Sequence, residues 1–124
     1  MKADKEKKDL GRAGEDAALR YLEGLGMNLL ARNWRSGHYE IDMVMEDPGA
    51  IRIVEVKSLR ESDGFDPTVN MTPDKCSKLV RAARRFIAEN PNRKEVCFDV
   101  VSVIFSQDST QIEYIPSAFL PINM

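Results

Sequence analysis

The sequence predicts an α/β fold in which helices pack against a central mixed sheet, one that contains both parallel and antiparallel strands. An amphipathic helical pattern opens the chain, a hairpin-like pair of strands follows, and a long apolar strand comes after a second helical pattern. The resulting order, αβββαββ, favours a sheet covered by helices. With 124 residues, 43% of them hydrophobic, we expect residues 1–124 to form a single domain.

The first helix is predicted over residues 11–26, where apolar positions recur at helical spacing and Gly26 provides a natural end. The positions of this stripe are Gly14, Ala18, Tyr21, Leu22 and Leu25. Glu15 falls beside Leu22 at the edge of the stripe, so its carboxylate leans toward whatever the helix packs on. Residues 1–9 are almost all charged. We expect them to be flexible, and they lack the apolar segment of a secretory signal.

Three strands are predicted over residues 27–33, 39–46 and 50–58. In the second, alternation puts one set of residues on each face: Ile41, Met43 and Met45 on one, Glu40, Asp42, Val44 and Glu46 on the other. The turn 47–49, Asp-Pro-Gly, joins it to the third strand and predicts a hairpin. One face of the third strand carries Ile51, Ile53, Glu55 and Lys57.

After a loop predicted over residues 59–71, a second helix begins at Thr72-Pro73-Asp74 and ends at Asn90-Pro91. Its apolar stripe consists of Leu79, Ala82, Ala83, Phe86 and Ile87. Its other faces carry Lys75, Lys78, Arg81, Arg84 and Arg85. A long, central strand is predicted over residues 96–105 and an edge strand over 110–115, followed by an irregular tail over 116–124.

The net charge, the length of the apolar runs and the spacing of the cysteines each count against a class of protein. The net charge of −2 counts against a protein that coats nucleic acid through its overall charge, although a local basic face remains compatible with it. No apolar run approaches the roughly 20 residues of a membrane helix. We therefore expect a cytoplasmic protein without a membrane partner. Cys76 and Cys97 lack the spacing of a zinc site or a disulfide framework, so we expect reduced thiols.

Two acids and a lysine are the strongest candidates for chemistry. A tight hairpin would bring the strand of Asp42 beside the strand that carries Glu55, Val56 and Lys57. Because side chains alternate, Glu55 and Lys57 share a face, and Asp42 joins them if the register matches. Carboxylates and backbone carbonyls are the ligands that Mg²⁺ prefers, so Asp42, Glu55 and the Val56 carbonyl form a candidate site for Mg²⁺ or Mn²⁺.

Such a site suits phosphodiester hydrolysis. The metal polarises a phosphoryl oxygen and lowers the pKa of bound water. Lys57 would orient that water or neutralise charge that develops on the phosphate, and Glu15 would complete the metal shell or hold a metal-bound water. The competing interpretation is structural, since acids and bases on a strand commonly form a solvated face or cross-strand ion pairs. Burying charged side chains such as Glu55 and Lys57 at the end of an apolar strand costs free energy. Either a functional role or a structural ion pair would explain why they are there.

A series of motifs extends in order along nearly the whole chain. They are Gly11-Arg12-Ala13-Gly14-Glu15-Asp16-Ala17-Ala18 with Tyr21-Leu22, Asn33-Trp34-Arg35, Glu40-Ile41-Asp42, Val54-Glu55-Val56-Lys57, the set Lys75, Lys78, Leu79 and Ala82, and Phe98-Asp99-Val100-Val101. Together they resemble the YraN-like family of the restriction-endonuclease-like, or PD-(D/E)XK, nuclease superfamily. In that family, Asn33-Trp34-Arg35 would form a turn.

The resemblance implies a restriction-endonuclease-like three-layer core with a central mixed sheet. It also implies metal-ligand roles for Glu15, Asp42 and Glu55 and a catalytic role for Lys57. The archaeal Holliday junction resolvases share a similar layout, which Ser58 continues here as Glu-Val-Lys-Ser. That likeness implies branched or structured DNA as substrate, and a homodimer. The sequence departs from the family pattern at Tyr39, where glycine is usual, and we expect this ring to narrow the approach to the site.

Several other residues have two interpretations each. Lys75, Lys78 and Arg35 are candidates to bind the DNA backbone, or they belong to solvated faces. Glu40 is either a partner that supports Asp42 or a surface acid.

Trp34 suits the core better than stacking on a base, and Asp99 would be structural, pairing with an arginine. We expect His38, the only histidine, to be an exposed turn residue.

Three functions therefore follow from the sequence. The first is a metal-dependent nuclease that hydrolyses phosphodiester bonds in DNA, either branched or single-stranded. The second is a catalytically inactive nucleic-acid-binding or adaptor protein on a nuclease fold, which Tyr39 would fit. The third is a protein-interaction module with no nucleic-acid role, which the net acidic charge would fit.

Overall fold

The computed structural model describes residues 2–63 and 71–121. Its elements follow the predicted order αβββαββ. They are α1 (Lys2–Gly24), β1 (Asn28–Ser36), β2 (Tyr39–Glu46), β3 (Ala50–Arg60), a 3₁₀ turn (Glu61–Asp63), α2 (Pro73–Glu89), β4 (Glu95–Phe105) and β5 (Thr110–Phe119). Neither helix is long and apolar enough to cross a membrane within these ranges.

The strands form one sheet in which the spatial order is the chain order, β1-β2-β3-β4-β5. Neighbouring strands are antiparallel except for β3 and β4, which are parallel. Parallel neighbours need a crossover, and α2 lies in the connection between β3 and β4. The predicted mixed sheet is therefore confirmed.

The two helices cover opposite faces of the sheet. Leu22 of α1 packs with Met43, Val54 and Val101 in one core cluster. On the other face, a second cluster joins α2 to the sheet through Leu79, Ala83, Phe86, Ile41 and Ile53. The fold thus has three layers, helix, sheet and helix, and is the predicted restriction-endonuclease-like α/β core.

The strict alternation predicted for β2 is wrong. Ile41 and Val44 both pack in the α2-side cluster, whereas Met43 packs on the α1 side. The break lies at Asn33 of β1 and Asp42 of β2, which stay unpaired. On either side of them the pairing is regular, with Arg32 opposite Met43 and Trp34 opposite Ile41. Asn33 has a left-handed φ of 51° there. Asparagine tolerates this conformation, which re-aims the neighbouring side chains while the pairing register stays the same on both sides.

Several boundaries also differ from the prediction. Helix α1 begins at Lys2 instead of residue 11; lysine, glutamate and alanine are good helix formers, and a charged extension needs no burial. Strand β1 continues to Ser36, so Asn33-Trp34-Arg35 lies inside a strand and not in a turn. Strand β5 extends to Phe119, into the predicted irregular tail, because Phe119 stacks on Phe98 at 5.0 Å. The parts of the predicted loop and tail at 64–70 and 122–124 lie outside the described residues.

The predicted start of the second helix is confirmed. The Thr72 side chain accepts a hydrogen bond from the Lys75 backbone N–H at 3.2 Å, and Pro73 occupies the first helical position. Cys76 and Cys97 are buried free thiols, as expected, and burial raises the pKa of Cys76.

Asp99 is a fully buried acid at the centre of a polar network, and it pairs with an arginine as predicted. Its carboxylate accepts hydrogen bonds from Arg52 Nη1 at 3.1 Å, Tyr114 Oη at 2.6 Å and the Ser117 backbone N–H at 2.9 Å. Arg52 Nε also donates to Asp47 Oδ2 at 2.7 Å in the hairpin turn. The network therefore ties β3, β4 and β5 together, and Asp99 lies opposite Val54 in the β3–β4 register, one position from Glu55.

Candidate functional site

The candidate site lies where β2 and β3 stop pairing. The last paired residues are Met43 and Val54, and the next step of the same register places Asp42 opposite Glu55. The two carboxyl groups lie close enough to interact. Asp42 Oδ2 also accepts a hydrogen bond from the Val56 backbone N–H at 2.8 Å. The predicted meeting of Asp42 with Glu55 is thus what this register produces.

This environment changes the protonation of Asp42. Burial, the hydrogen bond with Glu55 and the negative charge of Glu55 raise the pKa of Asp42 to about 8. The Val56 N–H and the charge of Lys57 act in the opposite direction but do not outweigh them. Two adjacent carboxyl groups avoid full ionisation together because like charges repel. A divalent cation between them would favour the ionised pair, so the donor set suits a metal.

Lys57 supplies a positive charge on the Glu55 face of β3. Its side chain is half-buried, and burial lowers its pKa while the charge of Glu55 raises it. Lys75, from the first turn of α2, is close enough to lower the pKa of Lys57 further. A cleft on the α2 side includes Glu55, Lys75, Lys78 and Glu40 in its walls. We call it the α2-side cleft.

Glu15 lies on the opposite side of the sheet. It lines a cavity of about 580 Å³ together with Asp42, Val56 and Ser58, which we call the α1-side cleft. Its Oε1 atom lies 3.3 Å from Nε of Arg32 in an ion pair. In the described ranges, no three histidine, cysteine or acidic side chains lie close enough together to hold a metal ion. Glu15 therefore does not form a three-carboxylate cluster with Asp42 and Glu55.

Two carboxylates are nevertheless enough for the metal that the sequence predicts. Magnesium usually keeps several waters and binds one or two protein carboxylates together with substrate phosphate. Asp42 and Glu55 match that requirement.

The close contact between α1 and β3 depends on a glycine whose importance the sequence reasoning missed. A Cβ atom added at Gly14 would lie 1.7 Å from Ser58 Oγ and 2.8 Å from Ser58 Cβ. Glycine at this position therefore lets the helix approach the strand, and it brings the adjacent Glu15 to the cleft that Asp42 lines. The only signal in the sequence was a glycine within an apolar helical stripe.

The predicted DNA-contacting residues lie in two places. Lys75 and Lys78 line the α2-side cleft, and Lys78 also forms an exposed ion pair with Asp74 at 3.2 Å. Arg35 lies away from them, in a cleft beside α1. Its Nη2 atom is 3.6 Å from Glu40 Oε1, so Glu40 pairs with Arg35, while Asp42 lines the other cleft.

The aromatic residues near the site have separate roles. Tyr39 lines the α2-side cleft, where the Arg85 guanidinium lies 4.5 Å from its ring centroid. The ring thus forms part of the cleft wall beside Glu55. Trp34 packs against the core under α2 and meets Phe86 edge-on at 5.4 Å, which confirms the core interpretation. His38 is exposed in the turn before β2, as expected.

The three-layer fold, with its αβββαββ order and mixed sheet, is that of the restriction-endonuclease-like class of α/β proteins. Within that class, the chain belongs to the YraN family: residues 14–103 match the model of the uncharacterised protein family UPF0102.

Relatives named as UPF0102 proteins support this assignment. One from Bacteroides fragilis is 41% identical over 112 residues, covering 90% of this chain and 93% of the relative. One from Acidothermus cellulolyticus is 34% identical over 122 residues, covering 89% and 92%. One from Oleidesulfovibrio alaskensis is 46% identical over 95 residues, covering 75% of this chain but 46% of that longer relative.

Proposed function

We propose that this protein is a metal-dependent nuclease that hydrolyses phosphodiester bonds in DNA. The observation that carries the proposal is the carboxyl pair of Asp42 and Glu55, at the point where β2 and β3 separate, with Lys57 following on the same strand. A buried acid with a strongly raised pKa beside a second acid is costly for the fold. Such groups concentrate at functional sites, which favours a catalytic over a structural role.

The proposed division of roles follows from the contacts. Asp42 and Glu55 hold Mg²⁺ or Mn²⁺, and the Val56 carbonyl is a candidate backbone ligand. When bound, the ion supplies a Lewis acid and a water of lowered pKa. The Val56 N–H fixes the orientation of the Asp42 carboxylate through its 2.8 Å hydrogen bond. Lys57 and Lys75 place positive charge beside Glu55, where it would stabilise the charge that develops on the phosphate.

Glu15 has a different role in this proposal. Arg32 holds it in the wall of the α1-side cleft that Asp42 also lines. Because Glu15 does not cluster with the two other acids, we assign it to a water in that cleft and not to the first ligand set.

A second candidate function is DNA binding without cleavage. The Tyr39 ring favours it, because this side chain occupies the cleft wall beside Glu55 where the family pattern has glycine. This alternative predicts salt-sensitive DNA binding and no metal-dependent cleavage.

The decisive experiment measures cleavage of fluorescently labelled branched, flapped and single-stranded DNA with Mg²⁺ or Mn²⁺. The wild type should cleave at least one of these substrates, and Asp42→Asn, Glu55→Gln and Lys57→Ala should each lower the rate by roughly 10²-fold or more. Glu113→Gln, an exposed strand acid on β5, is the matched control and should cleave normally. Circular dichroism checks that each variant is folded.

The outcomes separate the candidates. A variant that cleaves as fast as the wild type removes the role given to that residue. Binding of every DNA by the wild type without any cleavage, in either metal, favours the second candidate. Sedimentation of the same samples tests the homodimer that the resolvase likeness implies, with and without DNA.

A further inference from the structure

A second cleft beside α1 is rich in cations. Its walls carry Lys8, Arg12, Arg32 and Arg35. Gly11 and Glu15 belong to the walls of both this cleft and the α1-side cleft that contains Asp42. The two clefts therefore adjoin, and together they lead from Asp42 to the edge strand β1. We call the second one the arginine cleft.

The cations of the arginine cleft differ in how far they are neutralised. Arg32 is neutralised, because Nη2 lies 2.7 Å from Asp16 Oδ1 and Nε lies 3.3 Å from Glu15 Oε1. Arg12 is exposed and makes no ion pair within the described part of the chain, and the same is true of Lys8 one turn earlier. The Arg35 side chain is 73% exposed, and its one ion pair with another described residue is the 3.6 Å contact with Glu40.

These charges are therefore available to an external anion. Arg12 and Lys8 lie four positions apart on α1 and so project from the same face of the helix. Arg35 comes from β1, on the other side of the cleft. The acids in the cleft, Glu15 and Asp16, already have Arg32 as a partner and oppose a bound anion less than free acids would.

We propose that the arginine cleft binds the sugar-phosphate backbone of a duplex arm that extends from the cleavage site, an inference that rests on the proposed nuclease function. Lysine and arginine side chains contact phosphates without reading the sequence. Clefts that prefer single strands combine positive charge with aromatic side chains on which bases stack. The walls of this cleft contain no aromatic residue among those described, so its chemistry fits a duplex backbone.

The proposal predicts a specific salt dependence. Each phosphate neutralised on duplex DNA contributes about −0.9 to the slope of log affinity against log salt. Removing the charges of Arg12 and Arg35 together should therefore make that slope shallower by about 2. The dissociation constant at low salt should rise by roughly 10-fold or more, because both charges contact phosphate.

The experiment is fluorescence anisotropy of a labelled duplex and of the corresponding single strand, in EDTA so that binding does not depend on a metal. The variants are Arg12→Gln, Arg35→Gln and the double variant. The control is Arg20→Gln, which removes an exposed arginine of the same helix outside the cleft. The wild type should prefer the duplex, the double variant should lose affinity and slope, and the control should retain both.

Three results would overturn the proposal: no duplex binding by the wild type at low salt, equal affinity and slope in the double variant, or a clear preference for the single strand. The result is also independent of cleavage. If the wild type never cleaves DNA but the double variant loses duplex binding, the nuclease proposal fails and the arginine cleft stands. If Asp42→Asn abolishes cleavage while the double variant binds like the wild type, the reverse holds.

Discussion

Replacing Asp42 by asparagine should make the protein more stable while it abolishes cleavage. Burial and Glu55 raise the pKa of Asp42 to about 8. An unfolded aspartate has a pKa of about 3.9, and each unit of difference corresponds to about 1.4 kcal/mol. At neutral pH the folded state must therefore keep a proton that the unfolded chain releases, at a cost of up to about 4 kcal/mol. Structural relaxation lowers this, so we expect a gain of about 2 kcal/mol for Asp42→Asn.

Asparagine fits the same contacts without the charge. Its side-chain oxygen can accept the hydrogen bond from the Val56 N–H that Asp42 Oδ2 accepts at 2.8 Å. Its amide N–H group can donate to the Glu55 carboxylate, as a protonated Asp42 would. The substitution therefore removes the cost of protonation and leaves the local packing in place.

The pH dependence gives the sign of the effect. Below about pH 4, Asp42 is protonated in both states and the variant has no advantage. As the pH rises from about 4 to about 8, the unfolded state releases the proton first, so the wild type loses stability relative to Asp42→Asn. Above the folded-state pKa the difference levels off. Mg²⁺ should reverse part of the loss in the wild type, because a ligand that binds only the folded state stabilises it.

Urea denaturation in EDTA across this pH range measures the difference directly, and repeating it with Mg²⁺ measures the metal effect. Asp108→Asn, an exposed acid in the turn between β4 and β5, is the control and should follow the wild type. If Asp42→Asn is no more stable than the wild type at neutral pH, the carboxyl pair is not under electrostatic strain and the reasoning fails. If Mg²⁺ stabilises both proteins equally, the ion binds elsewhere.

Three further substitutions test the fold around the site by urea denaturation. Gly14→Ala should cost about 1–3 kcal/mol because its Cβ would collide with Ser58, and adding Ser58→Gly should recover part of the loss; no recovery would place the strain elsewhere. Asp99→Ala should cost about 3–5 kcal/mol because it leaves Arg52 without its buried partner, and a loss below about 1 kcal/mol would contradict this. Thr72→Ala should cost about 1 kcal/mol by removing the N-cap of α2, whereas Thr72→Ser should be nearly neutral.

The order and type of the elements were predictable because each has a local cause. The start of α2 follows from Thr72 and Pro73, and the hairpin follows from the turn at 47–49 between two strand patterns. The outer limits were less predictable. The helical extension before residue 11 buries little, and the end of β5 depends on Phe119 reaching Phe98 from a distant part of the chain. Hydrophobic periodicity contains no information on either point.

The site was partly predictable for the same reason. The hairpin register that pairs Met43 with Val54 brings Asp42 opposite Glu55, and a tight turn largely sets that register. The pairing of Glu15 with Arg32 could not be predicted, because it joins α1 to β1 through tertiary packing. The arginine cleft depends on the same packing.

The break in alternation at Asn33 and Asp42 has a consequence for how a substrate could reach the carboxyl pair. With regular alternation, Asp42 would share a face with Glu40, which lines the α2-side cleft. In the structure Asp42 lines the α1-side cleft, while its partner Glu55 lines the α2-side cleft. The pair therefore connects the two sides of the sheet at the point where β2 and β3 separate. A DNA backbone held in the arginine cleft would approach Asp42 from the α1 side, while the positive charges of Lys57 and Lys75 lie with Glu55. Asn33→Val, which removes the residue that tolerates the left-handed φ of 51°, should thus impair cleavage more than binding when both are measured on the same DNA.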